Sequence, residues 1–283
     1  MIVISAATGA LGRLVIGHLL ARAPREPIVA AVRDPVAAAD LAARGVEVRR
    51  GDYDDPGSLR EAFDGARRLL LISSPELDPG RRVSQHLAAV EAAVSAGVGA
   101  VAYTSFLGAD TSGEGVTEAH HATEKAIAGS GLPYIVLRNP YYSEAFLNPA
   151  LRSAVAAGEL VDVTGGRGLN TAFRTDLAEA AANALTGEGH LGRGYDLTGP
   201  LWTYPRLARA LTEISGTAVA YREGPDESAG PLRWLNAQVR AGALEAQSGD
   251  LERLLGRPAT SVPQALAGVL GDFAGSRPDA FTL

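Results

Sequence analysis

Short runs rich in valine, isoleucine and leucine recur through the first half of the chain, each followed by an amphipathic stretch. This alternation limits the fold more than any other feature. Segments 2–5, 27–33, 46–49, 68–72, 100–104 and 134–137 read as strands, and 10–23, 36–43, 57–64, 81–96 and 118–129 as helices. The strands are apolar on both faces, as expected for a parallel sheet covered by helices on each side. Gly45, Gly97 and Gly131 stand where helices should stop, and Pro35 and Pro56 at or just before helix starts. The spacing predicts a doubly wound α/β fold.

Beyond residue 140 the rhythm loosens. A helix over 143–157, short strands near 160–164, 171–174 and 194–198, and helices over 175–186 and 203–214 are expected. A strand near 218–222 and an Ala/Leu-rich helical tail complete the pattern. The expected division is a Rossmann-type cofactor domain over 1–140, with strands contributed by later segments. A smaller α/β substrate-binding lobe and helical tail would fill 141–283.

Composition narrows the function. The net charge of -6 and pI of about 5.4 argue against a nucleic-acid footprint. Arginine pairs at 49–50, 67–68 and 81–82 each have acidic residues nearby and read as solvated surface. With no cysteine there is no disulfide, thiolate metal site or cysteine nucleophile. Five histidines, of which only His120 and His121 are adjacent, make no metal set. No apolar run approaches the roughly 20 residues of a membrane-spanning helix. Nor does the N-terminus resemble a signal peptide, so a cytoplasmic protein is expected. Of the 26 basic residues, all but Lys125 are arginine.

Directly after the first strand comes Ser5-Ala6-Ala7-Thr8-Gly9-Ala10-Leu11-Gly12, which opens a helix. Gly9 lets the backbone approach a pyrophosphate, Gly12 lets the helix pack on the sheet, and the helix N-terminus offers free N–H groups. Folds of this spacing usually carry a glycine where Ala6 stands; a positive φ there would cost alanine on the order of 1 kcal/mol. The second strand ends Val32-Arg33-Asp34-Pro35, where the adenosine ribose should lie. Arg33 comes first, and its planar donors suit a 2′-phosphate, so NADP(H) is favoured over NAD(H).

These segments carry a resemblance. The Ser5–Gly12 turn, Val32–Pro35, Gly51-Asp52-Tyr53-Asp54-Asp55, Leu70-Leu71-Ile72-Ser73-Ser74 and Tyr103-Thr104-Ser105 resemble the NmrA-like atypical short-chain dehydrogenase/reductases. His120-His121-Ala122-Thr123-Glu124-Lys125, Leu137–Glu144 and Arg174–Ala178 extend the likeness, which spans most of 2–222. It is strongest to bacterial NAD(P)H:quinone oxidoreductases, then to triphenylmethane reductases. The resemblance implies cofactor contacts at Ala6, Thr8, Gly9, Ala10, Leu11 and Gly12, at Arg33 and Asp52, and at Ser73, Ser74, Thr104 and Ser105. It also implies contacts at Arg138, Asn139, Pro140, Tyr141, Tyr142 and Ser143, and a substrate pocket between the lobes. Pro140-Tyr141 departs from the Gly-Trp usual in the quinone reductases, which changes a pocket wall.

The Tyr-x-x-x-Lys pair of ordinary short-chain dehydrogenases is absent. His121 stands four residues before Lys125 and on the same helix side, whereas the resemblance marks His120 as the family's histidine; spacing does not choose between them. Lys125 is expected to hold the nicotinamide ribose and fix the ring for hydride transfer. A quinone takes hydride into a delocalised oxyanion, so a weak proton donor suffices, with Tyr141, Tyr142 or a histidine as candidates. The expected function is an NADPH-dependent reductase of a quinone or related conjugated small molecule. The alternatives are a tailoring reductase or isomerase on a polycyclic metabolite and a non-catalytic NADP sensor. The expected partner is a small-molecule substrate, not nucleic acid or membrane, with a homodimer left open.

Overall fold

The computed structural model describes residues 1–22 and 26–270. The end of the first helix expected at residue 23, and the tail beyond 270, lie outside the described residues. Two compact units emerge. Among the described residues, the first joins Met1–Pro140 to Arg174–Leu197 and Gly249–Arg257; the second holds Tyr141–Phe173, Thr198–Ser248 and 258–270.

The first unit is built on seven parallel strands. These are β1 (Ile2–Ile4), β2 (Ile28–Val32), β3 (Glu47–Arg50), β4 (Arg68–Leu71), β5 (Val101–Phe106), β6 (Tyr134–Asn139) and, late in the chain, β8 (Arg193–Asp196). Their order is β3-β2-β1-β4-β5-β6-β8, so the winding reverses between β1 and β4. In such sheets the ligand crevice lies beyond the carboxyl ends at that reversal. The helices are α1 (Ala10–Ala21), α2 (Ala39–Ala42), α3 (Pro56–Phe63), α4 (Pro79–Ser95), α5 (Glu118–Gly129), α7 (Arg174–Thr186) and α10 (Asp250–Leu255).

The expected continuous apolar strands form because both faces are covered. Val3, Val29, Ala31, Leu69, Leu71, Val101 and Tyr103 form one core with Leu59, Phe63, Ala89, Ala93 and Ile127 from α3, α4 and α5. The alternate residues Ile2, Ile4, Ala30 and Leu70 are buried on the opposite face, and on that side α1 packs against α7. Helix starts follow local chemistry: Asp55 and Asp78 accept the amides of Ser58 and Arg81, with proline in the first turn of each helix.

The second unit contains α6 (Leu151–Ala157), β7 (Glu159–Asp162), α8 (Tyr204–Ser215), β9 (Ala220–Glu223), α9 (Gly230–Arg240) and α11 (Val262–Leu270). Strands β7 and β9 pair in parallel, over a core that includes Leu147, Leu151, Leu160, Leu169, Trp202, Leu207, Leu211 and Val239. Two expectations are corrected here. The helix over 143–157 is split, because Pro149 cannot continue it; a 3-10 turn at Ser143–Ala145 precedes α6, and Asn148 Oδ1 restarts the chain by accepting Ala150 N–H at 2.9 Å. Segment 171–174 is not a strand. Its neighbours are single bridges, Tyr142 to Ala172 and Leu169 to Trp202, and Gly199 N–H donates to Asn170 O at 3.1 Å.

One ion pair ties the edge of the sheet together. Arg138 on β6 donates from Nη2 to Glu124 Oε2 of α5 at 2.8 Å and lies 3.3 Å from Asp196 Oδ1 of β8 and 3.4 Å from Asp110 Oδ2. Gly194 leaves room for the guanidinium, since a Cβ there would sit 3.1 Å from Nη1. Burial works against the charge of Arg138, but the bonds and fields of Glu124, Asp110 and Asp196 outweigh it and raise its pKa. Glu124→Ala removes the main partner of a half-buried charge and is expected to cost about 3 kcal/mol in denaturant unfolding.

Candidate active site

The phosphate turn leaves β1 in a cramped conformation. Ser5 N–H donates to Leu70 O, Ser5 Oγ accepts Ile72 N–H at 2.8 Å, and Gly9 N–H donates to Ala6 O at 3.0 Å. Ala6 takes φ of +46°, alone in positive φ among the described non-glycine residues. The strain anticipated from the sequence is therefore present. Gly12 is required for a different reason: an added Cβ would lie 2.8 Å from both Ala6 O and Ala7 Cα. Gly9 and Ala10 are exposed, and Gly9 at the N-cap offers no side-chain acceptor. The first amides of α1 consequently face outward without intrahelical partners, ready for an anion.

Arg13 fastens this turn to the loop after β2. Its Nε donates to Thr8 O at 3.1 Å, its Nη2 to Ala37 O at 2.9 Å, and Nη1 pairs with Asp40. Asp34 Oδ1 accepts Val36 N–H at 3.0 Å and caps the 3-10 turn Pro35–Ala38, so this carboxylate is already engaged. Arg33 is exposed and makes no hydrogen bond or ion pair among the described residues. Across the crevice, hydrogen bonds from Arg81 and Gln85, aided by the charges of Arg81 and Arg33, hold the Asp54 carboxyl below its usual range. Asp52 Oδ1 accepts Asp54 N–H at 3.1 Å. The Tyr53 phenol lies 2.7 Å from Ser5 Oγ and donates to Ile72 O, and burial raises its pKa.

Toward β5, the α4–α5 layer is polar inside. Ser74 N–H donates to His86 Nε2 at 2.8 Å, which puts the imidazole proton on Nδ1, 2.9 Å from Thr123 Oγ1; Thr123 in turn donates to Ala119 O. Arg82 Nη2 donates to His120 Nε2 at 3.1 Å, so His120 gives its Nδ1 proton to Tyr103 Oη at 2.9 Å. His86, Tyr103 and Thr123 have no exposed surface, and His120 is 3% exposed. Burial, reinforced by the charge of Arg82, lowers His86 to a pKa of about 4 and His120 to about 3. Both rings are neutral near pH 7.

Several of the residues expected to meet the cofactor have partners within the protein. Arg138 is engaged in the Glu124 clamp, as is Ser105, whose Oγ donates to Glu124 Oε1 at 2.5 Å. Ser74 Oγ donates to Gln85 Oε1 at 2.5 Å, and Thr104 Oγ1 accepts Ser73 N–H at 2.9 Å. These four side chains each make a hydrogen bond within the first unit. Asn139 and Pro140 are buried at the end of β6. Tyr141, Tyr142 and Ser143 begin the second unit. Burial raises the Tyr141 phenol, and Ser143 Oγ lies 2.8 Å from Thr171 Oγ1.

The two histidines and the lysine of α5 have different surroundings. His121 Nδ1 donates to Ala109 O at 2.6 Å and anchors the loop after β5. Lys125 is exposed, without a hydrogen bond or ion pair among the described residues. It stands five residues after the buried His120, about 140° around the helix. The residue one turn beyond His120 is Glu124. The fold gathers Gln85 and His86, which the sequence reading passed over, with Tyr53 and Tyr103, which it used only as marks of the resemblance, and Arg82, which it read as solvated surface and which is half-buried. A hint was present: Gln85-His86 falls on the face of α4 that must be buried. Among the described residues, no helix is long and apolar enough to cross a membrane, and no group of three or more His, Cys, Asp or Glu is placed to hold a metal ion.

Two measurements follow from this geometry. Ala6→Gly relieves the positive φ and should stabilise the fold by up to about 1 kcal/mol in urea unfolding. The two buried histidines make stability depend on pH. Their unfolded pKa is about 6.5, so stability is full above that and falls as pH drops toward the folded values. The loss approaches about 1.4 kcal/mol per pH unit for each ring. Unfolding midpoints between about pH 7.5 and 5.5 should show this slope, and His86→Gln should flatten it.

A profile of NAD(P)H-binding proteins matches residues 6–188. Quinone oxidoreductase 2 of Escherichia coli is 39% identical over 282 residues, covering 94% of this chain and 98% of that protein. The structure of an NADPH-dependent quinone oxidoreductase from the same organism, complexed with NADPH, matches at a TM-score of 0.86 and 38% identity, over 95% of this chain and 100% of that one. The Citrobacter sp. triphenylmethane reductase complexed with NADP(H) matches at a TM-score of 0.88 and 36% identity, over 95% and 99% of the two chains. With the glycine turn at the start of α1, a seven-stranded parallel sheet and these likenesses together, the chain belongs to the NAD(P)H-binding family.

Proposed function

We propose that this chain is an NADPH-dependent reductase that transfers hydride to a quinone or a related conjugated small molecule. The observation that carries the cofactor choice is the pair at the end of β2: the Asp34 carboxylate is engaged as a cap, while Arg33 stands exposed beside it. A carboxylate facing the ribose would select the free 2′-hydroxyl; a guanidinium there suits a 2′-phosphate. The amides of Ala10, Leu11 and Gly12 would meet the pyrophosphate at the helix N-terminus. The bound nicotinamide supplies the hydride.

The acceptor reading rests on which groups are missing from the crevice. His120 is neutral, and both its ring nitrogens are engaged within the protein, so His120 is not poised to donate a proton. Reduction of a simple ketone needs such a donor, whereas a quinone disperses the incoming charge and takes its proton from water. The protein's part is then to bind, to align and to exclude competing geometries. The quinone oxidoreductase of Escherichia coli, at 39% identity, supports the same chemistry.

The loss of NADPH absorbance with a panel of quinones tests the activity directly. Tight NADPH binding with no turnover on any acceptor would favour the sensor reading instead. For the cofactor, Arg33→Ala should weaken NADPH binding by about tenfold or more in calorimetry, and NADH binding far less. Equal losses for both cofactors would remove Arg33 from 2′-phosphate recognition.

A further inference from the structure

NADPH carries two anionic groups that the protein must meet together, the pyrophosphate and the 2′-phosphate on the adenosine ribose, and the nucleotide fixes their spacing. The amides that would take the first begin α1, and the guanidinium that would take the second is Arg33, just beyond β2. The first is fixed by the close packing of Gly12 on Ala6 and Ala7. The second stands on a barer stretch. Arg33, Asp34, Pro35, Val36 and Ala37 are exposed in succession, and the chain next enters the interior at Ala38 and Leu41. Unless its backbone is held beforehand, ordering such a stretch opposes binding.

Arg13 supplies that hold. Its own backbone is fixed within the glycine turn, where Arg13 N–H donates to Gly9 O at 3.0 Å. From there the guanidinium works in three directions: Nε donates to Thr8 O at 3.1 Å, Nη2 to Ala37 O at 2.9 Å, and Nη1 pairs with Asp40 of α2. Among the described residues, no other hydrogen bond reaches 33–38 from a distant part of the fold. The remaining ones are local, from Val36 N–H to Asp34 Oδ1 and from Ala39 N–H to Val36 O. Three separate nitrogens let one side chain span two carbonyls and a carboxylate at once; a lysine carries all its donors on a single atom.

We propose that Arg13 is a positioning residue that sets cofactor specificity: by tying Ala37 to Thr8 it fixes Arg33 relative to the pyrophosphate amides and so favours NADPH over NADH. This rests on the NADPH reading above. Each of the three guanidinium nitrogens faces a partner within the protein, so Arg13 acts through the backbone it holds. With the tie in place, a pyrophosphate seated at α1 presents the 2′-phosphate to Arg33 at high effective concentration. Without it, the stretch must be ordered as the cofactor binds, and the loss falls on the phosphate that only NADPH carries. The pyrophosphate contact, common to both cofactors, is affected only through Thr8.

The test measures NADPH and NADH affinities by calorimetry, and steady-state kinetics with 1,4-naphthoquinone, in Arg13→Met and Arg13→Lys. Arg13→Met should weaken NADPH binding by about tenfold and NADH binding by no more than about twofold. Arg13→Lys, which keeps the charge without the span, should weaken NADPH by at least about fivefold, with NADH again within about twofold. In both variants the rise in the KM for NADPH should exceed any fall in kcat. Urea midpoints establish that the variants fold, and Arg13→Lys, which leaves a cation beside Asp40, carries the test if Arg13→Met does not. An NADPH-to-NADH affinity ratio within about twofold of wild type in a folded variant would overturn the proposal. A wild-type protein that does not prefer NADPH removes the cofactor reading, and this inference with it. A wild type that prefers NADPH, with variants that prefer it equally, removes the inference about Arg13 alone.

Discussion

At Gly12 the first turn of α1 presses so closely on Ala6 and Ala7 that no β-carbon fits between them. That approach lets the helix begin directly off the end of β1, with its unpaired amides at the sheet's reversal point. The rest of the crevice is arranged around that fixed point. Ser5 and Tyr53 lock the turn to Ile72 beyond β4, and Arg13 locks it to the loop beyond β2. The turn is constrained twice over, since Ala6 holds a conformation that glycine would adopt without strain. Such strain persists only where the surrounding bonds over-determine the backbone, as they do here.

A second constraint is electrostatic. The layer between α4 and α5 buries two imidazoles, a phenol and a threonine hydroxyl, and their bonds follow one consistent direction from Ser74 N–H and from Arg82. Neutral rings make this possible, because a charged ring at either place would need a partner that the layer does not supply. The price of a rigid layer is that neither histidine is available to move a proton near neutral pH. Geometry and charge thus leave acceptor chemistry to groups that align rather than titrate.

The sheet and its phosphate turn were legible in the sequence because they rest on local patterns: apolar runs, glycine spacing and proline at helix starts. Arg33 and Asp34 were legible as a pair with Arg33 favoured, but the cap that Asp34 makes to Val36 two residues on was not. The ion pair of Arg138 was not legible, because its partner Glu124 lies 14 residues earlier and only the pairing of β5, α5 and β6 brings them together. Lys125 drew attention through its rarity. On α5 the face that holds His120 continues to Glu124, while Lys125 is exposed. His86 escaped notice, and Arg82 read as solvated surface, because a buried polar side chain is recognisable only once its partners from other elements are in place.

The path of the chain has a bearing on how such a protein can vary. The second unit is not appended to the first; it is let in, once after β6 and again after β8, and the chain returns each time to supply α7 and then α10. A fragment ending at Pro140 would lack β8, leaving β6 as an open edge, and would strip α7 from α1. The cofactor unit is therefore not a module that can be cut out at a single point. The two inserted stretches, by contrast, begin and end at the boundaries of regular elements. Their length and side chains can drift while every strand pairing of the seven-stranded sheet is kept.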